Sequence, residues 1–349
     1  MSRDDMESLV LELGQPRYRG RQLFTAVFQR HRPTFTAMSD LPRALRDTLT
    51  EHFDLSRPTV DTRQVSRDGT RKYGFRGGDL TAFETVYIPE VARGRATNSL
   101  CVSSQTGCAL DCGFCFTASL KRFRNLTSAE IVGQVLAVQE DVLALGDAAA
   151  VTNIVFMGMG EPLLNYGEVV KATRILMDPD GLDFAARRIT ISTAGIVPRI
   201  RDLARELPVQ LAISLNAATD AVRDRIMPVN RKWPLRELIA ALKEYPLQNR
   251  RRFTIEYVLL DGVNDTLEDA VRLSRLLEGL PVKVNLLPLN AHDRTEYRPP
   301  DPHQVLRFQK QLLKTGLRAI IRSPRGQEIA AACGQLGGAL TDGRGTHSQ

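Results

Sequence analysis

The chain has 349 residues, 43% hydrophobic and 25% charged, a globular composition long enough for one large domain and a smaller one. No uncharged apolar run is long enough to span a bilayer, and the charged start Met1-Ser2-Arg3-Asp4-Asp5 lacks the apolar stretch of a secretory leader, so a cytoplasmic protein is expected. The net charge of +7 favours a polyanionic partner, although a solvated Arg-rich surface fits the charge alone equally well.

Residues 1–58 read as helical. Leu9, Leu23, Phe24 and Val27 supply apolar positions, and Asp40-Leu41-Pro42 resembles a helix start. Residues 59–95 read as a short β extension, with Lys72–Phe75 and Phe83–Ile88 rich in β-formers around a turn at Gly77-Gly78-Asp79. From residue 96 to 340 strands alternate with helices. The expected strands are Leu100–Ser104, Asn153–Met157, Arg188–Ser192, Gln210–Leu215, Phe253–Leu260 and Val282–Leu287. Thr127 and Glu130 form a capping box ahead of Ile131, Val135, Val138 and Val142 at helical spacing. Asp301-Pro302 opens another helix, with Gly316 where a C′ residue belongs. Such alternation implies a parallel sheet, either most of a (β/α) barrel or a doubly wound open sheet, with the site at the carboxyl ends of the strands in both cases. Residues 341–349 are expected to be a disordered tail.

Basic residues cluster at Arg17, Arg19 and Arg21, at Arg30 and Arg32, at Lys121, Arg122 and Arg124, at Arg187 and Arg188, and at Arg250, Arg251 and Arg252. Clustering shifts the expectation toward nucleic acid.

Four of the five cysteines fall between residues 101 and 115, and an odd count argues against a disulfide framework. Cys108-Ala-Leu-Asp-Cys112-Gly-Phe-Cys115 spaces three of them as C-x3-C-x2-C on the loop after the first strand of the alternating region. Three thiolates on one loop can hold three corners of a [4Fe–4S] cluster and leave the fourth iron open for a substrate. A zinc site would want a fourth ligand, and the first histidine after the motif is His292.

This motif is that of the radical S-adenosylmethionine (SAM) superfamily. Its surroundings are more specific. Cys101-Val-Ser-Ser-Gln-Thr-Gly-Cys108, Arg124-Asn-Leu-Thr-Ser-Ala-Glu-Ile131, Phe156-Met-Gly-Met-Gly-Glu-Pro-Leu-Leu-Asn165 and Ala331-Ala-Cys333-Gly-Gln-Leu336 resemble the RNA adenine methyltransferases of that superfamily. These act on adenine C2 of 23S rRNA and tRNA, or on adenine C8 in the related resistance enzymes. The resemblance runs from about Leu13 to about Leu340 and implies a partial (β/α)6-type radical SAM barrel, a mixed α/β fold, behind a small RNA-contacting helical domain. It implies one [4Fe–4S] cluster on Cys108, Cys112 and Cys115, with SAM contacted by Gly160, Glu161, Ser192, Ser214, Leu215, Asn216 and Asn290. It also implies a low-potential electron donor such as flavodoxin or ferredoxin, and a monomeric enzyme.

By resemblance, Cys333 carries the methyl group, Glu84 accepts the ring proton, and Cys101 releases the product by forming a disulfide with Cys333. The implied order is methylation of Cys333 by one SAM, reductive cleavage of a second, hydrogen abstraction from the S-methyl group and addition to a base drawn out of its stack. Read without the resemblance, Gly158–Pro162 is a structural turn, Cys333 a buried structural cysteine and Glu84 an edge-strand carboxylate. The strand-end polar residues then read as loop caps, and Leu215 can offer a ligand only its backbone. The chain departs from the family pattern in having Asn216 for His, Ala330 for Asp, no glycine in 116–123, and an insertion at Val91-Ala-Arg-Gly-Arg95. The C2 and C8 readings stay open here, with Glu161-Pro162 favouring C2, and a catalytically retired iron–sulfur or RNA-binding module is the remaining alternative.

Overall fold

The computed structural model describes residues 1–337 apart from 56, 78, 80, 93–94, 121–122, 147–149 and 249–250. Gly78, Lys121, Arg122, Arg250 and the expected tail therefore lie outside the described residues.

Three helices come first: α1 (Arg3–Glu12), α2 (Tyr18–Phe28) and α3 (Arg43–His52). Ser2 and Asp5 close a reciprocal capping box at α1. Helix α2 buries Leu23, Phe24, Val27 and Phe28, and α3 buries Leu45 and Leu49 one turn apart. Asp40 does not cap α3, which begins after Pro42 with no side-chain cap. Instead the Asp40 carboxylate takes Arg30 and its carbonyl takes Arg19. The helices are tied to the rest of the chain by Arg3 and Arg21 on Asp180 and by Lys171 on Asp5.

Strands β1 (Thr59–Val65), β2 (Arg71–Arg76) and β3 (Ala82–Ile88) form an antiparallel meander. The insertion makes a two-stranded ribbon, β4 (Val91–Ala92) with β5 (Arg95–Ala96). Then follow β6 (Ser99–Cys101), α4 (Ser128–Ala144), β7 (Asn153–Phe156), α5 (Tyr166–Met177), β8 (Ile189–Thr193), α6 (Val197–Glu206), β9 (Gln210–Ser214), α7 (Asp220–Ile226), α8 (Leu235–Glu244), β10 (Phe253–Leu259), α9 (Leu267–Leu276), β11 (Val282–Pro288), α10 (Pro302–Lys314) and β12 (Ala319–Ile321).

The described residues build one ten-stranded sheet in the order β1-β2-β3-β6-β7-β8-β9-β10-β11-β12. Every neighbouring pair from β6 to β12 is parallel, and each crossover carries a helix. Six β/α units with no pairing of β12 back to β6 make a partial barrel rather than a closed one. The expected capping box at Thr127 is present, and α4 buries Ile131, Val135, Val138 and Val142. Each such side chain contributes about 1.5–3 kcal/mol. Because β3 pairs with both β2 and β6, the β extension continues the barrel sheet, and Glu84 sits on an interior strand rather than an edge.

The candidate active site

The carboxyl ends of the parallel strands surround an open cleft of about 990 Å3. Its walls bring together Cys108, Cys112 and Cys115 after β6, Gly160 and Glu161 after β7, Ser192 on β8, Ser214 and Asn216 at the end of β9, Asn290 after β11, and Cys333 after β12. Ten of the thirteen expected site residues thus line one cavity, although they span more than two hundred positions of chain.

The cluster loop is held from three sides. The Gly113 amide donates to the Ile226 carbonyl at the end of α7. Thr295 Oγ1 donates to the Gly113 carbonyl at 2.8 Å. The Phe116 amide donates to the Gly334 carbonyl at 2.7 Å, which ties the cluster loop to the turn bearing Cys333. Burial pushes all three thiols up, Cys108 to about 12, and the neighbouring cysteines add to the shift at Cys112. Thiolates so placed persist when metal supplies the positive charge.

Among the described residues, no three His, Cys, Asp or Glu side chains converge on a point that would hold a single ion. The corner ligands of a cubane bind three different irons and need no common point, so the loop suits a cluster. His292, remote in sequence, comes against this loop, with Nε2 3.1 Å from the Phe114 carbonyl and Nδ1 accepting from the Arg294 amide. Both ring nitrogens are engaged, so His292 offers the loop no free nitrogen.

Gly160 has φ +96°, and a Cβ there would lie 2.5 Å from Gln105 Cβ. That close approach lets Gln105 Oε1 accept from the Glu161 amide at 2.8 Å and fixes the turn. Glu161 accepts from the amides of Leu163 and Ala194, yet burial outweighs these bonds and pushes its carboxyl up to about 7. A carboxylate in that state gains from an incoming cation.

Leu215 stands apart from the expected set. Its side chain is buried, its amide donates to the Glu256 carbonyl, and its carbonyl accepts from Arg223. Asn216 is left-handed at φ 57°, a conformation asparagine tolerates well. Its Oδ1 takes the Val258 amide at 2.8 Å. Ala330, the other departure from the family pattern, is also left-handed, at φ 48°, without such compensation.

Cys333 is exposed in the cleft, which corrects its reading as a buried structural cysteine. Surrounding protein mass and then the Glu256 charge still push its thiol up to about 11. Asn290 Nδ2 donates to the Cys333 carbonyl at 3.0 Å. Cys101 and Glu84 do not line the cleft. Cys101 is buried at the end of β6, and burial followed by the Cys333 charge drives its thiol well above the usual range, so the two sulfurs share one electrostatic neighbourhood. All five cysteines are free thiols, and no Cys101–Cys333 disulfide is present. Glu84 is fully buried; Oε2 accepts from the Gly337 amide at 2.7 Å, and burial raises its pKa while Lys72 opposes the rise.

Sequence reasoning missed two residues of this site. Glu256 lines the cleft from β10, where its Oε1 accepts from Asn285. An acidic residue inside Phe253–Leu259, otherwise a β-forming run, was the available signal. Arg223 is fully buried behind the cleft. Its guanidinium donates to the carbonyls of Leu215, Ala194 and Ser214 and to Asn230 Oδ1, and its charge reaches Cys112. Nothing in the sequence marks it among the many arginines.

Comparison with known proteins finds relatives over nearly the whole chain. Residues 102–274 match the family model "Radical SAM superfamily", and residues 1–55 match "Ribosomal RNA large subunit methyltransferase N-terminal domain". The chain is 51% identical to the dual-specificity RNA methyltransferase RlmN of Geobacter sulfurreducens, over 97% of this chain and 91% of that protein. It is 48% identical to the protein of the same name from Anaeromyxobacter sp., over 95% and 88%. The crystal structure of a radical SAM methyltransferase from Sphaerobacter thermophilus superposes with a TM-score of 0.89 at 41% identity, covering 96% of this chain and 97% of that one. The chain therefore belongs to the RlmN family of radical SAM RNA methyltransferases, whose cofactors are a [4Fe–4S] cluster and SAM.

Proposed function

We propose that this chain methylates C2 of an adenine in 23S rRNA and in tRNA, with Cys333 as the methyl carrier. The observation that carries the reading is the convergence of Cys333, the cysteine loop and Glu161 on one cleft. The cluster and SAM, when bound, supply the methyl group and the radical chemistry that an electron-poor ring carbon requires.

The chain's own residues do the rest. Cys108, Cys112 and Cys115 hold the cluster. Glu161 takes the ammonium of SAM beside the Gly160 turn, and Ser192, Ser214, Asn216 and Asn290 offer hydrogen bonds around the remainder. Leu215 acts by holding the end of β9, since its amide is already committed. Cys333 presents its sulfur in the cleft, Glu84 accepts the ring proton, and Cys101 attacks the Cys333 sulfur. That attack forms an S–S bond and breaks the sulfur–carbon bond to the RNA; the electron pair of the broken bond goes to the carbon, which takes up a proton and becomes the methyl group, and a disulfide is left to be reduced.

The N-terminal helices, within residues 1–58, contact the RNA, supported by the match of residues 1–55 to a ribosomal RNA methyltransferase domain. With this reading go a low-potential donor such as flavodoxin or ferredoxin, a monomeric chain and a cytoplasmic setting, in which free cysteines persist. No helix among the described residues is long and apolar enough to cross a membrane.

The test is mass spectrometry of rRNA and tRNA nucleosides from cells with and without the gene. The expected gain is 2-methyladenosine. A gain of 8-methyladenosine, or no change, overturns the assignment.

A further inference from the structure

Lys72 is almost fully buried on β2, an unusual place for an ammonium. Its Nζ lies 3.5 Å from Glu84 Oε1, with side-chain exposures of 4% and 1%. Among the described residues neither side chain makes another ion pair. Glu84 Oε2 is occupied by the Gly337 amide, whereas among the described residues Oε1 has no hydrogen bond and faces the Lys72 charge. Lys72 Nζ also reaches the Ala330 carbonyl at 3.4 Å. The ammonium therefore stands between the β3 carboxylate and the segment that carries Cys333.

We propose that Lys72 is the positioning residue that keeps Glu84 ionised, so that Oε1 is free to accept a proton from the substrate ring. The inference rests on the reading of Glu84 as proton acceptor. In that step a ring C–H bond breaks, its electron pair stays on the ring, and the proton moves to Oε1. A carboxyl that is already protonated cannot take it.

Burial drives Glu84 toward its neutral form, and a single nearby cation opposes this. Among the described residues the other elements packed on Glu84 bring no second cation. Across β6 the residue beside Val86 is the neutral Cys101 thiol, and α4 brings Gln134, bound to Thr85. The loop after β7 brings the Met159 thioether against the Glu84 amide, and the C-terminal segment brings the Gly337 amide and the Ala330 carbonyl. A pair kept only for packing would be replaceable by apolar groups with little effect on proton transfer. A pair kept for its charge would not.

The experiment uses cluster-loaded full-length enzyme with SAM and an RNA fragment containing the target adenine. Release of the covalent protein–RNA adduct is followed on denaturing gels from pH 6 to 9. Lys72→Met keeps the length of the side chain and removes the charge. It should release the adduct about tenfold or more slowly at pH 7 and recover as pH rises, because the unassisted carboxyl ionises only at higher pH. Lys72→Arg should behave as the unaltered enzyme, and Glu84→Gln should hold the adduct at every pH.

If Glu84→Gln turns over normally, the proton-acceptor reading fails and takes this proposal with it. If Glu84→Gln traps the adduct but Lys72→Met releases it normally across the pH range, only the role of Lys72 is overturned. Infrared difference spectra of the unaltered protein minus Glu84→Gln at pH 7 decide the matter even if Lys72→Met fails to fold. A carboxylate band supports the proposal and a protonated carboxyl band contradicts it.

Discussion

Glu161 is the buried acid at the cysteine end of the cleft, and the role proposed for it has a pH signature. Its carboxyl, pushed up to about 7 by burial, is neutral below that value and ionised above it. Binding of SAM through its ammonium should therefore weaken as pH falls through 7, by about fivefold between pH 7 and pH 6. Equilibrium binding across pH 6–8 checks this, and Glu161→Gln should bind weakly with no pH step. The sign for folding is opposite. A carboxyl raised from 4.5 contributes stability that is fully present below about 4.5 and lost as pH rises through about 7, so the SAM-free protein should lose stability over that interval. At this scale the sequence was legible where spacing keeps residues together, as at Cys108, Cys112 and Cys115, which line one cleft. It was opaque where a charge matters because it is buried. Lys72 and Arg223 look like any other basic residues until the fold removes their water.

Arg223 shows how one side chain can brace two strands. By donating to Ala194 after β8 and to Ser214 and Leu215 at the end of β9, it fixes the backbone that presents three expected SAM contacts. Arg223→Leu would leave those buried carbonyls and Asn230 short of a donor. The expected loss is about 3 kcal/mol or more, read as a lower urea midpoint. Gly20 plays a packing role between α1 and α2, since a Cβ there would lie 2.4 Å from Glu7 Cα. Gly20→Ala should cost about 1–3 kcal/mol by forcing the helices apart, visible as a lower thermal midpoint. Strands β2, β3 and β7 to β11 were legible to within a residue or two, because their apolar runs are bounded by clear turns, whereas the seven-residue β1, exposed along its whole length, has no such run and was not singled out. The three-residue β12 carries too few positions for a pattern and was missed. The interior place of β3 was also hidden, since strand order is a matter of pairing between distant segments.

On the scale of the whole molecule the positive charge is less available than its clustering suggests. Arg17 is paired with Glu7, Arg21 with Asp180 and Arg30 with Asp40. Exposed pairs of this kind hold by about 0–1 kcal/mol, so phosphates can displace the carboxylates. RNA affinity should still fall steeply between low and physiological salt, and a flat dependence in a filter-binding titration would exclude phosphate contacts. The proposed pairing of Cys101 with Cys333, far apart in sequence, relies on the fold. The (β/α) order and the contacts of the 326–337 segment with β2, β3 and the cluster loop bring Cys333 into electrostatic range of Cys101. The most direct measurement is intact-mass and gel analysis of Cys101→Ala and Cys333→Ala proteins under turnover with RNA. Cys101→Ala should stall with RNA covalently attached at Cys333, and Cys333→Ala should carry none. A Cys101→Ala protein free of RNA, or two variants that turn over normally, would contradict methyl transfer through Cys333.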